Sequence, residues 1–341
     1  MVSRTLSSRL SCVVSIVFLS CLWLVSSLAW AKPVEPNSKQ TNKKVGQAMS
    51  HQTNTPTGKV PSSDVDTISG MHGLLNLTVS YNLLGARVIG ALGYRKRLYK
   101  SKSKLLSQNF IGAHVITRLT PAWLEGGAVV AFQPLTILKL RGAYRFRTQV
   151  PTFFSGGAFK SMDAVRAAFK DVVSHRDGED VLRTQIDNGS KTNGGNRILP
   201  QSHIVSIDAT LRFRLKGIVL LANARYSKWW SSMPQSDTHK VFYEGGHDMI
   251  FSLEEDFLMV GGVLGYEWKN FRFLAYANYR TAFNAGTVNF RVGPAFQWII
   301  AKNWSWFKKP AIFAVLNWYL QHDWRGRDGI PLVGVRFGGE F

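Results

Sequence analysis

The chain has 341 residues with 45% apolar and 18% charged content, which excludes a disordered or collagen-like polymer and leaves room for one large or two ordinary domains. Lys and Arg total 42 against 21 Asp and Glu, and the resulting +21 would point first to nucleic acid in a soluble protein. Beyond residue 31 no uncharged apolar run reaches about 18 residues, so a helical membrane anchor is excluded by length.

Residues 1–31 carry Arg4 and Arg9, an apolar run from Cys12 to Leu28, and Ala29-Trp30-Ala31 before Lys32. This is the three-part pattern of a secretory signal peptide with an A-x-A cleavage site, and export argues against nucleic acid as a partner. Its removal leaves a net charge of +19 and takes both cysteines, Cys12 and Cys21, so no disulfide is expected. Cys21 as a lipid-attachment residue is the alternative, but Phe18-Leu19-Ser20 before it fits a lipobox poorly. Residues 32–70 are rich in Pro, Ser, Thr, Asn, Gln, Lys and Gly, with too little apolar area to offset ordering entropy. They are expected to form a disordered periplasmic tail, acting as a spacer or else as a plug or tether.

From 71 to 341 the texture turns to period two. Leu75, Leu77, Val79, Tyr81 and Leu83 alternate with Asn76, Thr78, Ser80 and Asn82, the pattern of a strand with one apolar and one polar face. The same phase recurs over 88–94, 111–115, 128–132 and 138–146, and after a long gap over 205–215, 218–226, 258–268, 271–279, 288–296, 312–320 and 333–341. Twelve strands result, with ten or fourteen open. Each is long enough to cross a bilayer at a tilt, and aromatics such as Tyr94, Tyr144, Trp268, Trp298 and Trp318 gather near strand ends as interfacial girdles do. The expected fold is all-β: a transmembrane antiparallel β-barrel over 71–341. Long gaps at about 148–203, 230–256 and 321–331 share one parity and the tight turns after strands 4, 6 and 8 share the other, as extracellular loops and periplasmic turns do, while the nearly absent gap at Leu84-Gly85 and the longer ones near 100–107 and 301–310 depart from the rule.

The 148–203 gap is too long for a simple loop. Phe159, Met162, Val165, Phe169, Val172 and Val173 fall on one helical face, with Ser161 a cap and Asp163 in the first turn, so one short amphipathic helix is expected at about 160–174. It would pack on its own loop or fold into the mouth as a lid.

The final residues, Pro331 to Phe341, resemble the C-terminal strand signal of Gram-negative outer-membrane β-barrel proteins, with Phe341, Phe337, Val335 and Val333 at alternate positions and Gly339 departing from the pattern. The resemblance is to the class. It implies the outer membrane, contact with its lipid, and insertion by the barrel-assembly machinery, and it names no substrate. The strand number and basic lumen are also similar in architecture to small channels for acidic oligosaccharides, without a shared motif.

If the apolar faces meet lipid, the alternate residues face the lumen. That set holds Arg87, Arg95, Arg97, Arg118, Lys139, Arg141, Arg145, Arg147, Arg212, Arg214, Lys216, Arg225, Arg272, Arg280, Arg291 and Arg336 against Asp208, Glu267 and Glu340. Arg97, Arg147 and Lys216 lie at strand ends and are expected to sit in water at a mouth. The mid-strand group Arg118, Arg141, Arg145, Arg212, Arg225, Arg291 and Arg336 is expected to line the pore and favour small anionic solutes, since guanidinium forks suit carboxylate and phosphate. A passive basic wall, or a barrel plugged by its own charges, gives the same composition.

Other chemistry is sparse. Glu244, Asp248, Glu254, Glu255 and Asp256 surround His247 in an outer loop, at a spacing that fits no calcium loop, so a solvated loop is expected and no metal or other cofactor. A lipid-cleaving barrel needs a nucleophile and a His facing the bilayer. His114 is strand-centred but inward in phase, with Thr117 merely nearby. The sequence therefore points to a non-enzymatic barrel that conducts or binds small anions. The alternatives are a lipid-modifying enzyme of the outer membrane and a structural or adhesive barrel acting through its loops.

Overall fold

A computed structural model of the chain describes residues 69–81, 85–103, 105–150, 157–171, 180–181, 183–184, 199–233, 238–300, 308–323 and 332–340. The signal segment, nearly all of the 32–70 tail, Val172, Val173 and Phe341 lie outside the described residues.

Twelve antiparallel strands close into a barrel. They are β1 (Gly70–Tyr81), β2 (Gly85–Lys96), β3 (Phe110–Leu119), β4 (Trp123–Leu135), β5 (Leu138–Gln149), β7 (Gln201–Leu215), β8 (Ile218–Ser232), β11 (Glu254–Trp268), β12 (Phe271–Ala282), β13 (Thr287–Ile299), β14 (Lys308–His322) and β15 (Leu332–Glu340). Each pairs with its chain neighbours, and β15 closes on β1 with Val335 opposite Val79 and Phe337 opposite Leu77. Closure leaves the barrel no open sheet edge, so its strands pair their backbone groups with one another rather than with water.

The alternation read from the sequence sets the two faces. Leu77, Leu92, Val115, Val130, Ile207, Leu264 and Phe273 stand exposed on the exterior, an apolar belt of the kind that faces lipid in a transmembrane barrel. Among the described residues no helix is long and apolar enough to cross a membrane. The chain is a membrane-spanning barrel by its strands.

Turn chemistry fixes the two rims. Lys216 and Gly217 both take positive φ, 45° and 90°, as a two-residue hairpin turn requires between β7 and β8. Pro134 has no N–H for the ladder, and the β4–β5 register shifts between Phe132 and Leu135 as the sheet turns at that rim. The β4–β5, β7–β8 and β11–β12 turns share one rim, and the long connections share the other.

At the long-loop rim a second, three-stranded sheet is inserted, ordered β10-β9-β6: β6 is Ala158–Phe159, β9 is Val241–Glu244 and β10 is Met249–Ser252. Helix α1 (Met162–Ala168) is the expected amphipathic helix in shorter form, with Ser161 Oγ accepting from Ala164 N at 3.2 Å and Asp163 in the first turn. Phe159, Val165, Phe169, Phe242, Met249, Ile250 and Phe251 form one buried cluster with Ile204, Trp229, Phe257 and Ala282. Those last four are lumen-phase residues of β7, β8, β11 and β12. The insert therefore packs inside the mouth, against the wall, rather than on its own loop alone.

Candidate functional site

The lumen is organised around three carboxylates. Glu125 on β4, with its side chain fully buried, holds Arg118 Nη1 at 2.8 Å, Arg145 Nη1 at 3.3 Å and Arg147 Nη2 at 2.6 Å. Asp208 on β7 takes Arg141 Nε at 2.6 Å and Arg225 Nε at 3.6 Å. Glu244, at the end of β9, takes the other arm of Arg147 and the Nδ1 of His247, the latter at 2.5 Å. Arg147 also lies over the Trp123 ring, 4.1 Å from its centroid, so its charge is enclosed by two acids and an aromatic face.

Part of the expected pore lining lies in this network. Arg118, Arg141, Arg145 and Arg225 do face inward, but each is paired to a wall acid, so they are not a bare cationic surface. Arg147 is not a solvated rim charge; it is buried in the network. Glu125 was absent from the expected inward set because Gly126-Gly127 interrupts the alternation, and the strand reads as beginning at Ala128 when it begins at Trp123. Arg212 lies close to the end of β7, exposed at the short-turn rim, with its N–H donating to Ile137 O of the adjacent turn at 2.8 Å.

Glycine makes room for the long side chains. Arg145 lies across Gly127 of the next strand, where a side-chain carbon would come within 2.7 Å of Arg145 Cγ, and Arg95 lies across Gly112 with a 2.9 Å approach. His114 crosses Gly93 and Asn278 crosses Gly261 in the same way.

The β9–β10 turn reaches across the mouth. Gly246 packs at Trp123 of β4, Arg280 of β12 donates to His247 O at 3.0 Å, and Asn289 of β13 donates to the same oxygen at 3.2 Å. Asp248 accepts from Tyr319 Oη of β14 at 2.7 Å and lies 3.2 Å from His322 Nε2. Strands β4 and β14 stand on opposite arcs of the ring, so the turn spans the lumen. His322 faces inward because a bulge in β14 opposite Phe290 and Arg291 shifts its phase; strict alternation would place it on lipid.

Burial pushes the His247 imidazole down to about 4, against the pull of Glu244, while Arg280 and Arg147 lower it further. Burial raises the Glu244 carboxyl, but Arg147 and His247 outweigh it and hold the group well below the usual carboxylate range. At neutral pH the ring is therefore a neutral donor to a carboxylate.

The acidic residues around His247 do not converge. Glu255 accepts from the backbone N–H groups of Ser252, Asn284 and Ala285, and Asp256 faces outward to Lys228 and Tyr226. Among the described residues no group of three His, Cys, Asp or Glu gathers to hold a metal. Outside the barrel, His203 faces lipid at the long-loop rim with Nδ1 2.7 Å from Tyr144 Oη. This strand histidine escapes a sequence reading that starts the strand at Val205.

Across β2, β1 and β15 the inner wall differs. Thr78 of β1 stands between Arg87 of β2 and Arg336 of β15 at directly opposed register positions. Neither arginine has an ion-pair partner among the described residues, and Arg87 Nε and Thr78 Oγ1 are buried without a hydrogen-bond partner. Arg336 lies over the Phe313 ring at 5.1 Å, and Arg291 of β13, likewise without a carboxylate, lies over Tyr319 at 5.4 Å.

No family model and no curated relative matches the chain. Among solved structures it is similar to the KdgM porin, at 7% identity and TM-score 0.37 over 79% of this chain and 98% of that one. The NanC porin gives 8% identity and TM-score 0.37 over 79% and 98%. LpxR from Salmonella typhimurium gives 9% identity and TM-score 0.34 over 79% and 99%. The barrel assignment rests on the strand pairing described above, and no ligand or reaction is carried over from these proteins.

Proposed function

We propose that the protein is a non-enzymatic outer-membrane barrel that admits or binds small anionic solutes along the β15–β1–β2 arc of its lumen. The observation that carries this reading is the Arg87–Thr78–Arg336 row. Two guanidinium groups flank a hydroxyl, and among the described residues no carboxylate forms an ion pair with either. Arg87 is half-buried and Arg336 exposed, so a solute carboxylate or phosphate can reach guanidinium groups that no ion pair already occupies. Along β3–β8 the acids Glu125, Asp208 and Glu244 offset only part of the charge of five inward arginines, so both arcs carry positive charge and the unpaired arginines of β2 and β15 add to one sign of field.

The exterior belt and the C-terminal alternation of Val333, Val335 and Phe337 favour delivery across the inner membrane by the N-terminal signal and insertion by the barrel-assembly machinery, with outer-membrane lipid as the surrounding partner and no nucleic acid. The inserted hairpin favours one second reading, a closed structural barrel.

Planar-bilayer recordings across a salt gradient separate the two. The parent is expected to be anion-selective, and Arg87→Gln with Arg291→Gln and Arg336→Gln is expected to move the reversal potential toward zero. Identical selectivity in parent and variant removes the anion reading, and absence of conductance in both favours the closed barrel.

A further inference from the structure

The connection between β2 and β3 is built as a rigid ledge on the outside of the short-turn rim. Asn109, fully buried, accepts from the N–H groups of Leu98 and Tyr99 at 3.0 and 2.9 Å and donates to Tyr99 O at 2.8 Å and Leu106 O at 2.5 Å. Tyr99 Oη donates to the carbonyl of Pro134 on β4 at 2.6 Å, so the connection passes the foot of β3 and is fastened to the next strand. Thr136 N–H then donates to Leu105 O at 2.8 Å, which ties it to the β4–β5 turn as well.

What this scaffold displays is two-sided. Leu98, Tyr99 and Leu105 are 39%, 42% and 47% exposed, continuous with the lipid-facing surface of Leu92 and Tyr94 on β2. Lys96, on the same outward face of β2, and Lys100 and Lys102 on the ledge are exposed beside them. Residues 95–110 contain no acid at all. Apolar side chains in line with the belt, with lysines next to them, are the arrangement by which an interfacial segment enters the boundary between acyl chains and headgroups.

We propose that this ledge is a binding site for acidic phospholipid headgroups in the leaflet at the short-turn rim, with Lys96, Lys100 and Lys102 holding the phosphodiester anion and Leu98, Tyr99 and Leu105 seated among the upper acyl carbons. The proposal rests on the membrane-spanning reading of the barrel and not on its solute. Each lysine at a membrane surface contributes about fivefold in attraction to anionic lipid, and this is lost with screening by salt.

The test reconstitutes the full chain in phosphatidylcholine bilayers containing spin-labelled phosphatidylglycerol or spin-labelled phosphatidylcholine, and measures the immobilised fraction of each. A preference of ~5-fold or more for phosphatidylglycerol at low salt is expected in the parent. It should fall close to one in the Lys96→Gln, Lys100→Gln, Lys102→Gln variant, and stay at the parent value when the same charge is removed at the opposite rim by Lys160→Gln, Lys170→Gln and Lys240→Gln. Inserted protein with equal preference in parent and ledge variant overturns the site, as does an equal loss in both triple variants. Failure of the parent to insert overturns the membrane-spanning reading beneath it.

Discussion

Arg147 of β5 binds Glu244 of the inserted hairpin with one guanidinium nitrogen while its others hold Glu125 on the wall. One side chain thus joins the barrel to the inserted hairpin, and the two carboxylates it bridges carry different consequences.

Glu244→Gln should loosen the hairpin and leave the barrel intact, whereas Glu125→Gln should weaken the wall itself. The second change strips three arginines of their shared acid, and breaking a buried pair of this kind costs about 3–5 kcal/mol. Urea unfolding in lipid vesicles checks the pair. A lowered midpoint is expected for Glu125→Gln only, and a similar fall for both would mean that the hairpin and the wall unfold as one unit.

Acidification should unseat the hairpin in two adjoining windows. The buried His247 ring resists protonation down to about 4, while an exposed ring takes a proton near 6.5. Seating is thus complete above about 6.5 and weakens by about 1.4 kcal/mol per pH unit as the pH falls toward 4. Glu244 acts in the same direction: its folded-state pKa is depressed, so its contribution is present above the ordinary carboxylate range and fades as the pH falls below it. Hydrogen exchange at Ile250 and Phe251, corrected for intrinsic rate, should speed up from pH 7.5 to 5. Constant protection across that range would contradict the assignment.

The exterior and interior phases give a third outcome. Leu140→Arg places a charge on lipid and should cost about 2–4 kcal/mol near the midplane. Arg336→Gln removes an inward charge that has no acidic partner among the described residues and should leave folding unchanged. Arg141→Leu is not the neutral control its phase alone suggests, since it would leave Asp208 with Arg225 at 3.6 Å as its remaining ion-pair partner among the described residues. Folding yield into detergent micelles, scored by gel mobility before and after heating, ranks the three.

Loss of Phe341, or its replacement by Asp, should leave the chain unassembled if the terminal alternation is what the insertion machinery reads. Heat-modifiable mobility equal to that of the parent in membrane fractions would rule this out.

The barrel was legible because period two survives over most strands, and the exterior phase follows directly from Leu77, Val115, Ile207 and their kin. The site was less so. Glu125 hides behind a glycine pair that carries no hydropathy signal, and His322 is turned inward by a bulge that no alternation rule contains. The hairpin had a signal of its own: Val241-Phe242-Tyr243 and Met249-Ile250-Phe251 are apolar at successive rather than alternate positions, the mark of a segment covered on both faces. In a chain otherwise ruled by alternation, such runs inside a loop betray an element buried by something other than lipid. Which arginines remain bare could not be read at all, because it depends on carboxylates contributed by other strands and by the insert.

The glycines beneath Arg95, His114, Arg145 and Asn278 bear on the bore of the tube. The interior of a barrel widens with strand number, and long side chains aimed at the axis narrow it again. By letting long polar groups recline along the wall, each missing β-carbon returns its own volume to the axis. Calibre here is a property of residues that contribute nothing to it but their absence. Chemistry and clearance can then be altered separately, the one by changing the reclining group and the other by filling the groove under it.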